Sequence, residues 1–195
     1  MNTLNPKNYT VFAGVACIGS GGIMVAATLA KQAIDKDPHA EIHIFDDLAG
    51  ELLELDFRGT VEDVLRRLPA SDQPDKIELR GPGRPKLGVI AREVTLLPRH
   101  WDWLNTQPGG ASVALRKLVE MAKRDYSGKD QIRQAQDASY KFMFIMAGDR
   151  PHYEEALRAL YAGHQESFDS QIEKWPADIK AYAKKLSAAA FQVNQ

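Results

Sequence analysis

Only one cysteine, Cys17, stands in the 195 residues, so the chain has neither an intrachain disulfide framework nor a multi-cysteine metal site. A reducing cytoplasm fits that usage. Catalytic groupings are missing too. His39, His43, His100, His152 and His164 show no His-Glu-x-x-His spacing, and Gly19-Ser20-Gly21 is not a nucleophile elbow. Asp46, Asp47, Glu51, Glu54 and Asp56 cluster in sequence without the spacing of a calcium loop, and they read as solvated turn carboxylates. No catalytic residue, metal or cofactor is expected, and the chain reads as non-enzymatic. One uncharged run, Asn8 to Ala30, is long enough to span a bilayer. Gly14, Gly19, Ser20, Gly21 and Gly22 interrupt it where a membrane helix needs its apolar centre, so neither a span nor a signal peptide is expected. There is no internal repeat and no low-complexity tract.

What is present is an ordinary globular mixture, 44% apolar and 26% charged, enough to bury a core. The formal net charge of −1 conceals a segregation. Met1 to Asp75 holds six basic and twelve acidic residues, Lys76 to Arg124 ten and four, and Asp125 to Gln195 nine and ten. The middle block, at +6, is therefore directed at an anionic partner, DNA first among them. The alternative is a basic surface that docks on an acidic protein surface, the N-terminal stretch included.

The fold class expected is α+β, with an antiparallel-sheet module over residues 1–69, a basic linker over 70–88, a strand-helix-helix segment over 89–125 and a helical module over 126–195. Tyr9 to Ile18 is rich in β-formers and broken by Gly14, which predicts one bent strand or two short ones. From Ile23 the apolar residues Ala26, Leu29, Ala30, Ala33 and Ile34 recur at helical spacing until Pro38. Glu41 to Phe45 and Leu52 to Phe57 predict two antiparallel strands about the turn Asp46 to Gly50. Thr60 with Asp63 predicts a capped helix that Pro69 stops. After a break at Asp125 to Gly128, helices are predicted over Gln131 to Met146, after Pro151, up to Trp175 and from Pro176, with Gly148 and Gly163 at C-caps.

Within the basic block, Arg80-Gly-Pro-Gly-Arg-Pro-Lys86 cannot form a helix. Gly83, Arg84 and Pro85, flanked by Arg80 and Lys86, resemble the core of an AT-hook, a slim arm whose arginine enters the narrow, electronegative A·T minor groove. Pro82 stands where the hook usually has a further arginine; a structural hinge is the competing reading. Val89 to Arg124 then predicts a strand to Leu97, a helix from Pro98 carrying Trp101 and Leu104, a break at Pro108-Gly109-Gly110 and a second helix capped by Ser112. That helix carries Ala114, Leu115, Leu118, Val119 and Ala122 on one face and Arg116, Lys117, Lys123 and Arg124 away from it. The arrangement is similar to the ribbon-helix-helix family, in which two copies pair their strands in the major groove. The resemblance implies a homodimer, with Arg92 or Thr95 near base edges, Arg99, Arg116 and Lys117 on phosphate, and Ser112 opening a phosphate-holding helix. A generic helical hairpin packed on Trp101 and Trp103 is the competing reading.

A second site competes with the first. Gly19, Gly21 and Gly22 lead into a helix, and Asp47 follows the next strand, which imitates a dinucleotide-binding unit. Met24 replaces the third glycine, and a turn feeding a helix explains the same residues. Taken whole, the chain resembles a bacterial, mainly proteobacterial, family of unknown function. The stretches that carry this are Ile44 to Asp47, Leu55 to Gly59, Gly83 to Gly88, Ala91 to Trp101 and Gln107 to Ser112. The resemblance implies a bacterial cytoplasmic protein and supplies no activity. The reading that follows is a homo-oligomeric DNA-binding protein, with regulation of transcription as the expected role and no membrane partner; a nucleotide-binding enzyme and a protein-interaction module stand as alternatives.

Overall fold

The structure is a computed structural model that describes residues 7–68, 90 and 92–192. Two compact units divide the chain: residues 1–74 together with 129–195, and residues 75–128. In the larger unit, β1 (Tyr9–Ala13) and β2 (Ala16–Gly21) form a hairpin, so the β-rich opening is two strands rather than one bent one. Helix α1 (Ile23–Lys36) follows, then β3 (Ile42–Asp46) and α2 (Val61–Arg67). The sheet order is β2-β1-β3 and both pairings are antiparallel.

The pleat of β1 and β3 sorts the cores, because successive side chains point to opposite faces. Tyr9, Val11 and Ile44 lie on one face against Ile23, Ala26 and Ala30 of α1. Phe12 and Phe45 lie on the other, in a larger core with residues of the C-terminal helices. Those helices are the later part of α4 (Gly110–Ala147), α5 (Tyr153–Tyr161), α6 (Gln165–Gln171) and α7 (Ala177–Ser187), closed by a 3-10 turn at Ala188–Phe191. Phe12, Phe45, Phe142 and Tyr182 form one aromatic cluster, with Phe142 5.0 Å from Phe45 and 4.7 Å from Tyr182 between ring centroids. The fold is α+β, and the N-terminal sheet shares its main core with the C-terminal helices.

Several local expectations hold for the physical reasons given. Thr60 and Asp63 form the reciprocal capping box at the start of α2. Gly148 follows α4, and Gly163 takes a left-handed φ just beyond α5. Two expectations are corrected. The strand predicted from Leu52 to Phe57 reduces to a single antiparallel bridge, Phe45 to Leu52, and a hydrogen bond from Leu53 N–H to the Ile44 carbonyl. Beyond it, Leu53, Leu55 and Phe57 pack against the core on the α1 side instead of extending a ladder. The break predicted at Asp125 to Gly128 is absent, because α4 runs through it from Gly110 to Ala147. A lone glycine inside a helix costs only about 1 kcal/mol, too little to stop one flanked by good helix formers.

The turn after β3 is held tightly against α4. Gly50 has φ of +64°, its N–H donates to the Asp46 carbonyl, and a Cβ there would fall 2.1 Å from the backbone oxygen of Ala138. The Gly50→Ala variant combines a left-handed backbone with a backbone clash, and it is expected to lose about 2–4 kcal/mol of stability, read as a lowered urea midpoint with an unchanged m-value.

Candidate functional site

The smaller unit contains the residues on which DNA binding was predicted. Among the described residues the predicted strand is absent: Arg92 to Leu97 carries no regular secondary structure and leads directly into the next helix. Pro98 opens α3 (Pro98–Asn105) at its first position, where a missing N–H costs nothing. Thr106 to Gly109 turns the chain, with the Thr106 hydroxyl donating to the Trp103 carbonyl at 2.7 Å, and α4 begins at Gly110. Leu104 on α3 and Ala114 on α4 are the buried residues where the hairpin closes.

Arg92, Thr95, Arg99, Ser112, Arg116 and Lys117 are all exposed. Arg80, Arg84, Pro85 and Lys86 lie outside the described residues, as does the start of the predicted strand at Val89. Ser112 is corrected: the helix starts two residues before it, so Ser112 sits in the first turn rather than at the cap, and its carbonyl accepts from Arg116 Nε at 3.1 Å. Among the described residues, no carboxylate lies within 4.0 Å of Arg92, Arg99, Arg116, Lys117 or Arg124; Lys123 alone reaches one, Glu120, at 4.0 Å. The larger unit differs. There Lys141 meets Glu51 at 2.7 Å, Arg58 meets Asp56 at 2.7 Å and Lys184 meets Asp169 at 3.1 Å.

The competing glycine-rich site is built differently from a dinucleotide cradle. Strands β2 and β3, which flank α1 in sequence, are not neighbours, because β1 lies antiparallel between them. Gly19 has φ of +153°, and a Cβ there would meet Leu29 Cδ1 at 2.6 Å; a Cβ on Gly21 would meet Val25 at 3.0 Å. Sheet and helix packing thus account for both glycines. Asp47 is already engaged. One carboxylate oxygen accepts from the Thr10 hydroxyl at 2.6 Å and the Tyr182 hydroxyl at 2.7 Å, and the other from Asn8 Nδ2 and Lys185 Nζ, each at 2.6 Å. Lys185 also lies over the Tyr182 ring, 5.2 Å from its centroid.

Burial alone raises the Asp47 pKa, but the donors Lys185, Thr10, Tyr182 and Asn8 together outweigh it and hold the carboxyl below its ordinary range. Burial first, and then its bond to this carboxylate, pushes the Tyr182 phenol up. Alternation along β1 and β3 explains why Thr10, Phe12, Phe45 and Asp47 share a face. Tyr182 and Lys185 were missed as partners because they lie more than 130 residues away and no local pattern links them. Three more acidic residues of this stretch are also engaged: Asp46 accepts from the N–H groups of Leu48 and Ala49, Glu51 from Lys141 and Asp56 from Arg58. Among the described residues, no group of three or more His, Cys, Asp or Glu side chains is placed to hold a metal ion, and no helix is long and apolar enough to cross a membrane.

Residues 8–187 match the family described as "Uncharacterized protein conserved in bacteria (DUF2239)". No curated protein and no solved structure matches the chain.

The Asp47 cluster predicts how stability depends on pH. A carboxyl whose pKa is lower in the folded state contributes stability that is complete above its unfolded value of roughly 3.9 and is lost as pH falls through the folded value. Asp47→Asn is expected to remove that part of the acid dependence, so that in urea titrations wild type and variant converge only as pH falls below the lowered folded-state value. Tyr182→Phe keeps the ring but deletes one donor, and it is expected to cost about 1–2 kcal/mol at neutral pH.

Proposed function

We propose that this chain, which belongs to the bacterial family DUF2239, is a non-enzymatic DNA-binding protein that uses the smaller unit as its nucleic-acid surface. The observation that carries the reading is the set of cations left without acidic partners. Arg92, Arg99, Arg116, Lys117 and Arg124 are exposed on the arm before α3 and on the helical hairpin, whereas cations in the larger unit are mostly neutralised locally. A duplex carries one negative charge per ~1.7 Å of helix axis, and releasing its condensed counterions is the main source of affinity for such a surface.

The roles follow from placement and chemistry. Arg99, Arg116 and Lys117 neutralise phosphate, since an exposed guanidinium or ammonium without an acidic partner gains most from an external anion. Arg92 or Thr95, on the arm before α3, approaches base edges, and Arg84 is assigned to the minor groove on its Gly-Arg-Pro context. A homodimer regulating transcription in the bacterial cytoplasm is the setting this reading implies. Binding by the larger unit is not part of it, because the Asp47 carboxylate, Gly19 and Gly21 are already committed to the fold, although Gly22 faces open space.

An electrophoretic mobility-shift titration on duplex DNA tests the proposal. Binding should weaken steeply with salt, and Arg116→Gln with Lys117→Gln should lower the log-log salt slope by about 1–2 and weaken affinity about tenfold at low salt. A folded wild-type protein that leaves duplex DNA unshifted at low salt would sink the proposal.

A further inference from the structure

We infer that the cavity between the β1–β2 turn and the end of α4, in the larger unit, binds a small monocarboxylic acid with an apolar body, held by Arg150 and His43. The inference goes beyond the proposed function and stands whether or not the chain binds DNA. The cavity measures about 430 Å³, and its walls include Val15, His43, Phe144, Ile145, Met146 and Arg150. Both the volume and the mixture of apolar walls with a few polar groups are those of small-molecule sites.

The polar groups of this cavity are left unmet by the fold. Among the described residues, four buried side-chain nitrogen or oxygen atoms have no hydrogen-bond partner, and two of them, His43 Nδ1 and Arg150 Nε, belong to residues of this lining. Native folds seldom leave such groups without a reason, because nothing repays their loss of water. The neighbouring carboxylates do not relieve them. Asp149 Oδ1 stops 3.8 Å from Arg150 Nε and Glu41 Oε1 stops 3.9 Å from His43 Nε2, both beyond hydrogen-bond reach. Those two acidic side chains are 88% and 78% exposed, so water satisfies them.

The backbone holds both residues in place nonetheless. His43 lies on β3 and stacks on the ring of Phe45, with 18° between the planes. Arg150 lies on the loop between α4 and α5, where its N–H donates to the Ala147 carbonyl at 3.0 Å and its carbonyl accepts from the Tyr153 N–H at 3.3 Å. Trp175 Nε1 fixes the next residue by donating to the Pro151 carbonyl at 2.9 Å. His152 then takes φ of +64°, the only non-glycine residue in the left-handed region among those described. Strain of this kind persists where the surroundings enforce it, and it gathers at ligand sites.

The chemistry of the walls selects the ligand. The guanidinium edge that carries Nε donates two parallel N–H bonds to a carboxylate, and Arg150 is only partly buried, which leaves it free to turn that edge to a ligand. His43 adds an imidazole N–H for the same group. Glu41 and Asp149, which also line the cavity, repel a dianion such as a phosphate monoester more than a monoanion, so a single charge fits best. An apolar body is called for by Val15, Phe144 and Ile145, which the fold leaves exposed beside the cavity. Gly14 adds room, since a Cβ there would meet nothing within 4 Å.

Nuclear magnetic resonance titration of the isotope-labelled full chain with phenylacetate, phenylacetamide, phenethylamine and inorganic phosphate tests this. Phenylacetate is expected to bind saturably at millimolar concentration and to shift the amides of Gly14, Val15 and residues 148–150. Phenylacetamide keeps the body without the charge and should bind about tenfold more weakly. Arg150→Gln should weaken phenylacetate by about the same factor and His43→Gln should weaken it too, while Arg158→Gln, on the exposed face of α5, should leave it unchanged. An absence of saturable shifts overturns the inference, as does binding that is unaltered in Arg150→Gln or His43→Gln. Equal affinity for acid and amide, or shifts confined to other parts of the chain, overturn it as well. Tighter binding of phenethylamine would assign the cavity to Glu41 and Asp149 instead, and tighter binding of phosphate would reject the monocarboxylate. Should a variant unfold, the comparison of acid with amide and the shift map on wild type decide by themselves.

Discussion

A single carboxylate at the end of β3 ties the two ends of the chain together. Asp47 draws donors from Asn8 and Thr10 at the start of the sheet and from Tyr182 and Lys185 on α7. Beside it, Phe12 and Phe45 pack with Phe142 and Tyr182. A charge this sheltered is tolerable only when its lone pairs are filled, which is why four donors converge on it. Once they do, the hydroxyl of Tyr182 sets where α7 lies on the sheet, and the ring of Tyr182 closes the aromatic cluster. The neighbouring turn then has to approach α4 closely, and Gly50 is the residue that permits it.

This arrangement divides labour between the two units. In the larger one, charges are spent internally: lysines and arginines meet carboxylates, and the turn acids cap backbone N–H groups or accept from nearby arginines. In the smaller one, charge and apolar surface are both left over, on opposite sides of α4. Surplus cations favour an anionic partner, and a surplus apolar face favours a neutral one. The same stretch of helix thus presents two chemically distinct surfaces, one cationic and one apolar.

The parts of the fold governed by neighbours in sequence were legible from residues alone. Thr60 and Asp63 announced a helix start because the capping box spans only a few residues, and Gly14 marked a break in the β-rich opening, though not whether the chain bends or reverses there. Charge segregation between the blocks was a matter of counting. Less legible was anything that depended on what surrounds a segment. Leu52 to Phe57 alternates like a strand, yet its apolar residues found a core to pack on instead of a ladder. Gly128 looked like a break, but the helix around it continued. The glycines before α1 looked like a phosphate loop, although Leu29 and Val25 stand where the missing side chains of Gly19 and Gly21 would be.

By itself, the sequence determined the α+β class, most element starts and stops, and a basic middle block set between acidic and near-neutral ones, since capping, periodicity and charge act over a few residues. Only the tertiary structure decided that Asp47 is a structural anchor and that the stripe on α4 stays largely uncovered. Both depend on which residues meet across more than a hundred positions, or fail to meet at all, and hydrogen-bond saturation and burial belong to that encounter rather than to any local pattern.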